Sequence, residues 1–179
     1  MGVPVETGGG RVNVGGVILV STISFARLAN TTQYTATDVV SSNTVSLKPF
    51  VFKDCVRFPG GTGIIYSALL IDSVDAATNP NFDLVLFDTG ILTVAGDNLT
   101  STVTDAEAQS CVAAITFDGT TATNVATVGA NLIVKATGLG QAFKCAEGSR
   151  DLYAIVIDRG GYTPASGEVF TFRLGILAD

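Results

Sequence analysis

Histidine and tryptophan are absent from the 179 residues, and charged residues make up only 15% of them. Without histidine the chain lacks the commonest general base, cannot build a Ser-His-Asp triad and cannot bind a metal through imidazole. Without tryptophan and with only four tyrosines, an aromatic-lined sugar cleft is poorly supported. These absences predict a protein that is not an enzyme and that uses neither a cofactor nor a metal.

Long apolar runs are also missing, although the chain is rich in apolar residues. Hydrophobic residues reach 47% and the mean hydropathy is +0.46. The run at Val17–Val20 is soon interrupted by Ser21 and Thr22, far short of the roughly 18 residues that a spanning helix requires. A soluble monomer needs more charge than this to cover its surface, since about a quarter of an average domain is charged. We therefore expect a homo-oligomer or a lattice component rather than a membrane protein.

The net charge of −6 and the scattering of the ten basic residues argue against a nucleic-acid partner, because phosphate contacts need clustered lysine and arginine. Cys55, Cys111 and Cys145 are widely spaced and form no CxxC motif, which favours small buried side chains in a reducing compartment. The first residues lack the charged and apolar regions of a signal peptide. These features predict a protein that is made in a cytoplasm.

Short apolar runs separated by turn formers predict about ten strands and an all-β antiparallel fold, either a sandwich or a jelly roll. One short helix is expected near residues 104–112, where Thr104 and Glu107 have the spacing of a capping box. Glycine-rich residues 1–11 predict a flexible arm, and residues 12–179 a single β domain. Residues 34–40 are expected to form a further strand.

Two chain reversals predict hairpins. The apolar runs Leu152–Ile157 and Val169–Ile176 flank a loop, residues 159–167, that is dense in glycine and other turn formers. The first run is apolar throughout, so both of its faces should be covered, whereas the second alternates and should have one polar face. The turn Pro59–Gly63 predicts a second hairpin, which joins residues 45–58 to Ile64–Ile71.

Candidate contact residues lie near the start of the chain and in the last loop. An aromatic residue and a proline on a rigid loop suit a protein contact, although Tyr162 could equally pack across its own loop. The predicted protein-interface residues are Val12, Val14, Phe25, Arg27, Tyr162, Thr163 and Pro164.

Carboxylates in the middle of the chain leave one alternative of another class. Asp88 and Asp97 could serve a carbohydrate-binding module or a hydrolase, and a lattice-stabilising Ca²⁺ site is a further option. Ordinary solvated loop and cap residues are the favoured interpretation of these side chains.

Several segments together resemble small structural proteins that tailed-bacteriophage genomes encode near the head genes. The segments are Asn30–Val40, Gly60–Ile65, Leu84–Asp88, Gly96–Asn98 before Thr104–Ala106, and Tyr162–Pro164. The resemblance implies a virion component, most simply a capsid decoration (cement) protein. Such a protein would bind the major capsid protein on the capsid exterior, often as a trimer, and stabilise the head. A tail or neck subunit is the alternative within the virion, and the capsid protein itself is a weaker one.

Overall fold

The computed structural model of the chain describes residues 16–42, 48–74, 78–90, 92–137 and 139–179. Strands dominate these residues, and the prediction of an all-β antiparallel fold is confirmed. The predicted arm, residues 1–11, lies outside the described residues. The strands are β1 Val17–Ala26, β2 Phe50–Phe52, β3 Thr62–Asp72, β4 Asn81–Phe87, β5 Cys111–Asp118, β6 Val125–Val128, β7 Asn131–Lys135, β8 Gln141–Lys144, β9 Leu152–Asp158 and β10 Val169–Ala178.

The strands form two sheets. Sheet A has the order β1-β10-β3-β7-β6, and β8 also pairs with β3. Sheet B has the order β2-β9-β4-β5. The longest ladder joins β1 to β10 over ten residue pairs, from Val17 opposite Ala178 to Ala26 opposite Val169. No helix in the described ranges is long and apolar enough to cross a membrane.

The inward faces of both sheets share one aromatic-rich core. Strand β10 shows the predicted alternation: Phe170, Phe172 and Leu174 are fully buried, and Arg173 is exposed. The Phe170 ring meets Phe82 of sheet B edge to face, with centroids 5.2 Å apart. Each such ring adds roughly 1.5–3 kcal/mol through burial, so the rings of β10 help to hold the two sheets together.

Strand β9 is covered on both faces, as its continuous apolar run predicts. Leu152, Ala154 and Val156 point into the shared core. Ile155 belongs to a second apolar cluster, which residues 92–103 build with Val39 over the outer face of sheet B. We call residues 92–103 the cover. Sheet B therefore lies between the core and the cover.

Both predicted hairpins are wrong. Strands β9 and β10 lie in different sheets, so residues 159–168 cross from one sheet to the other instead of closing a hairpin. Strand β2 likewise pairs with β9, whereas β3 pairs with β10, β7 and β8. Turn formers show that a chain reverses but do not specify the partner strand, which is chosen by burial of the apolar faces.

Two local predictions hold only in part. The capping box is present: the Glu107 amide donates to Thr104 Oγ1 (3.3 Å), and the Thr104 amide donates to Glu107 Oε2 (2.8 Å). The helix α1, Asp105–Ala108, ends early because Cys111 already pairs with Phe87 in the β4–β5 ladder. The expected strand at residues 34–40 is reduced to single bridges at Asp38 and Val39, where Thr37 has a φ of 77°.

A buried ion pair holds the cover in place. Arg27 Nη2 donates to Asp97 Oδ2 at 2.9 Å, and both side chains are almost fully buried. Tyr34 Oη donates to Asp97 Oδ1 (2.6 Å), which also accepts the Ser41 amide (2.9 Å). The Arg27 guanidinium further donates to the Asn30 carbonyl (3.0 Å). Both charges thus have several partners, and the network joins the segment after β1 to the cover.

Removal of the Asp97 carboxylate tests the importance of this network. We expect Asp97→Ala to lower the free energy of unfolding by about 3–5 kcal/mol, because it leaves the Arg27 charge buried without its partner. Urea unfolding followed by circular dichroism measures the change. Arg159→Ala is the matched control, since Arg159 forms a surface ion pair with Asp83, and it should cost less than about 1 kcal/mol. Equal losses in the two variants would contradict the proposed role of the buried pair.

Candidate protein-interaction surface

Most of the predicted contact residues that the structure describes lie inside the protein. Phe25 stacks on Phe50 with ring centroids 4.3 Å apart, and Arg27 is bound to Asp97. Tyr162 and Pro164 are buried, and only Thr163 is exposed. This corrects the expectation for those four side chains, which the protein uses for its own packing. Val12 and Val14 lie outside the described residues.

Tyr162 packs across its own loop, one of the two options that the sequence left open. Its ring meets Phe82 edge to face, with centroids 5.4 Å apart. Its hydroxyl oxygen lies 2.6 Å from Glu168 Oε1 and 3.2 Å from Asp72 Oδ2, and both carboxylates are buried. Burial and the neighbouring carboxylates raise the pKa of Tyr162 above its usual range, so the phenol keeps its proton.

The Tyr162 proton satisfies only one of these two carboxylates. The shorter contact assigns it to Glu168, which also accepts the Ala165 amide at 3.1 Å. Burial and then the nearby Glu168 raise the pKa of Asp72 from 3.8 to about 8. Asp72 therefore holds a proton at neutral pH. Through Tyr162, Glu168 and the protonated Asp72 anchor the crossing loop, residues 159–168, between the end of β3 and the start of β10.

The outer face of sheet A, in contrast to that of sheet B, carries exposed apolar side chains. Ile18 lies opposite Leu177 in the β1–β10 ladder, and Leu177 lies opposite Ile64 in the β10–β3 ladder. Val20 and Tyr66 extend the same surface by one further row. We call these five side chains the apolar patch. Their exposed fractions are 65% for Ile18, 52% for Val20, 40% for Ile64, 45% for Tyr66 and 42% for Leu177.

A glycine shapes the patch beneath Tyr66. The β10–β3 register shifts between Gly175 and Ile176, which leaves Tyr66 in a bulge with its ring over Gly175. A Cβ atom on Gly175 would lie 2.1 Å from Ser67 Oγ and 2.9 Å from Tyr66 Cζ. Glycine at this position therefore lets Tyr66 lie flat along the sheet instead of standing away from it.

Basic side chains border the patch on two sides. Arg173 on β10 and Lys135 on β7 lie on either side of Leu69 of β3. This row comes directly after the patch along the strand direction. Lys144, opposite Thr62, lies at the other end. All three are exposed, and none forms an ion pair with any residue in the described ranges. Although the whole protein is acidic, this face combines an apolar centre with basic borders, and Asp179 lies near Lys144 at one end.

A depression at one end of the patch adds shape to the face. It is lined by Gly16, Ile64, Phe143 and Leu177 among others, and its volume is about 500 Å³. The side chain of Asp179 sits at its rim and is hydrogen-bonded to Thr62 Oγ1. An apolar side chain that projects from a partner's surface would fit this depression.

One of the two carboxylates behind the carbohydrate alternative, Asp97, is not available to a ligand. Asp97 is buried and bound by Arg27, Tyr34 and Ser41, so neither of its oxygens is available to a sugar. Across the described residues, no group of three or more Cys, Asp or Glu side chains is placed to hold a metal ion. Cys55 and Cys145 are buried, as expected, and burial raises the pKa of their thiols to about 12 and 11; Cys111 is exposed.

The sequence interpretation missed the apolar patch. Val17–Val20 and Ile64–Tyr66 are apolar at consecutive positions, so alternation does not indicate which of their faces is buried. The available signal was the lack of charge in the chain as a whole, which predicts an apolar contact surface but not its position.

No protein-family model matches the chain, and no curated protein matches it. Among solved structures, the chain is similar to one in the cyanophage Pam1 capsid asymmetric unit. The TM-score is 0.35 and the sequence identity 21%, over 92% of this chain and 87% of that chain. So distant a likeness establishes neither a family nor a function. What the fold and surface define is a β-sandwich in which no segment among the described residues covers the outer face of sheet A.

The proton that Asp72 holds in the folded state predicts that the free energy of unfolding falls as the pH rises. Asp72 holds its proton in the folded state up to about pH 8 but releases it near pH 4 when unfolded, so folding is progressively disfavoured between these values. The slope is at most about 1.4 kcal/mol per pH unit. Between pH 6 and 8 we expect the free energy of unfolding to decline in the wild type and to stay nearly level in Asp72→Asn.

Urea unfolding at several pH values measures this difference. The window from pH 6 to 8 isolates Asp72, since the chain has no histidine and burial raises the pKa of Asp158 only to about 6. The exposed Asp105→Asn should keep the wild-type slope. A wild type with no slope between pH 6 and 8 would contradict the assignment of the proton.

Proposed function

We propose that this protein is a non-enzymatic structural subunit of a tailed-bacteriophage virion, namely a capsid decoration (cement) protein. It binds the major capsid protein on the exterior of the head and stabilises the head. The observation that carries this proposal is the apolar patch of sheet A with its basic border. The virion context comes from the resemblance of the sequence segments, and the distant likeness to a cyanophage capsid chain adds no support of its own.

The apolar patch favours a role in an assembly. Large exposed apolar side chains in contiguous positions are uncommon on soluble monomers and typically mark contact sites. On sheet B, by contrast, the cover buries the apolar side chains of the outer face. Burial of the patch of sheet A against a partner would contribute about 25 cal/mol per Å² before the costs of association.

The charge distribution supports a protein partner with acidic groups. Arg173, Lys135 and Lys144 would face carboxylates at the margins of an apolar contact, where opposite charges mainly add specificity. The net charge of −6 would also keep the rest of the protein away from packaged DNA. A permanent structural contact of this kind requires no catalytic group.

Binding to heads tests the proposal directly. Heads assembled from a phage genome that encodes this chain, with its gene deleted, should bind the purified protein in a co-sedimentation assay and then disrupt at a higher temperature. Leu177→Ser removes an exposed side chain from the centre of the patch, and we expect it to weaken head binding at least tenfold.

Leu99→Ser is the matched control. Leu99 is 53% exposed but belongs to the cover on the opposite side of the sandwich, so this variant should bind heads like the wild type. Binding to tails or necks in place of heads would favour the other virion location. Absence of binding to any virion part, by a folded protein, would refute the proposal.

A further inference from the structure

We infer that strand β1 is a dimerisation edge, which pairs antiparallel with β1 of a second copy across a twofold axis. The two copies of sheet A would then form one continuous sheet. The inference comes from the backbone of β1 and does not depend on the proposed virion function.

Half of the backbone of β1 has no partner in the part of the chain that the structure describes. The Arg27 amide donates to the Glu168 carbonyl at 2.7 Å, which places odd-numbered residues on the side of β1 that bonds to β10. Because strand residues alternate, the amides and carbonyls of even-numbered residues 18–26 point to the other side. Strand β1 is at the end of the sheet order, and no bond to these groups is found. Such a row of unpaired amides and carbonyls can form hydrogen bonds to a second extended strand.

The edge lacks the features by which proteins usually prevent edge pairing. Edge strands are typically short, or carry charged residues or proline, or are covered. Strand β1 has ten residues, VILVSTISFA, without a charge or a proline. The short edge strands differ: β2 has three residues, and β6 and β8 have four each.

Strand β5, the other long edge, is protected by a side chain. Gln141 Nε2 donates to the Ala114 carbonyl (2.7 Å), and Gln141 Oε1 accepts the Ala114 amide (3.1 Å). A bridge between Thr116 and Thr137 extends this protection of the β5 edge. Within the described ranges, one long edge is therefore blocked by a side chain and the other is not.

Space for a partner strand lies directly beside β1. An open groove with a volume of about 520 Å³ runs between residues 20–24 of β1 and Phe50, Val51 and Lys53 at the β2 edge of sheet B. Stacking of Phe25 on Phe50 closes the core beneath the groove, so a strand could add to β1 without opening the sandwich.

A second copy of β1 satisfies the charge and surface requirements of this edge. A twofold axis with Thr22 opposite its own mate pairs an uncharged strand with itself, and Val20 of each copy then lies opposite Ser24 of the other. Lys53 lines the groove on the side of sheet B. On the outer face of sheet A, the basic residue nearest to β1 is Arg173 on β10, which would be three strand spacings from its twofold mate, roughly 14 Å. That distance exceeds the screening length of about 8–10 Å, so the two Arg173 charges do not oppose pairing. The resulting contact is twofold and differs from the trimer that the resemblance implies.

Sedimentation velocity over a dilution series tests the inference. The wild type should form a dimer, and Thr22→Lys should raise its dissociation constant about tenfold or more, because cross-strand neighbours at the axis would become like-charged. Thr171→Lys is the matched control: it makes the same substitution on the same sheet face, one strand further from the axis, and should leave the dimer intact. Thr22→Pro, which removes an outward-pointing amide but no bond to β10, should also give monomers.

Each alternative occupant of the edge has a distinct result. A wild type that is monomeric at all concentrations, or a dimer or trimer that survives both Thr22 substitutions, would overturn the inference. Loss of the dimer in the full-length double variant Val12→Lys and Val14→Lys, with the Thr22 variants unaffected, would assign the contact to the segment before β1 and also overturn it. Head binding is measured separately, so a monomer that binds heads would refute the dimer and leave the proposed function standing.

Discussion

The buried pair of Arg27 and Asp97 is the constraint on which the asymmetry of the sandwich depends. Arg27 directly follows β1, and Asp97 lies in the turn of the cover, so their contact joins the end of a sheet A strand to the segment that shields sheet B. A buried charge is tolerable only when it is paired and hydrogen-bonded, and Tyr34, Asn30 and Ser41 complete that requirement. The network thus holds the cover on the outer face of sheet B, whereas no described segment covers the outer face of sheet A.

From this asymmetry the two surface features of sheet A follow. Its outer face retains exposed apolar side chains, and its first strand has backbone groups without a partner among the described residues. The two features require different partners. The face needs a surface with an apolar centre and acidic margins, whereas the edge needs an extended strand. A subunit that pairs with its own copy along the edge would keep its outer face free for a larger assembly.

The second buried polar cluster acts on the loop that crosses between the sheets. Tyr162, Glu168 and a protonated Asp72 place polar groups among the aromatic rings, where their mutual hydrogen bonds replace those lost to water. Both polar clusters therefore anchor irregular segments, while the regular strands are held by apolar packing. Such segments form no continuous strand ladder, so each depends on a few specific hydrogen bonds in addition to its apolar contacts.

Local patterns in the sequence were sufficient for the fold class and for much of the strand content. The alternation of Phe170, Phe172 and Leu174, the continuous run of β9 and the capping box at Thr104 each depend on neighbouring residues, and each was predicted. The shortage of charge also predicted an unburied apolar surface. Only the tertiary structure decided that β9 and β10 lie in different sheets, that Phe25, Arg27 and Tyr162 are internal, and that the patch and free edge belong to sheet A. Strand pairing and burial are set by contacts between residues far apart in the chain, and those contacts leave no local pattern in the sequence.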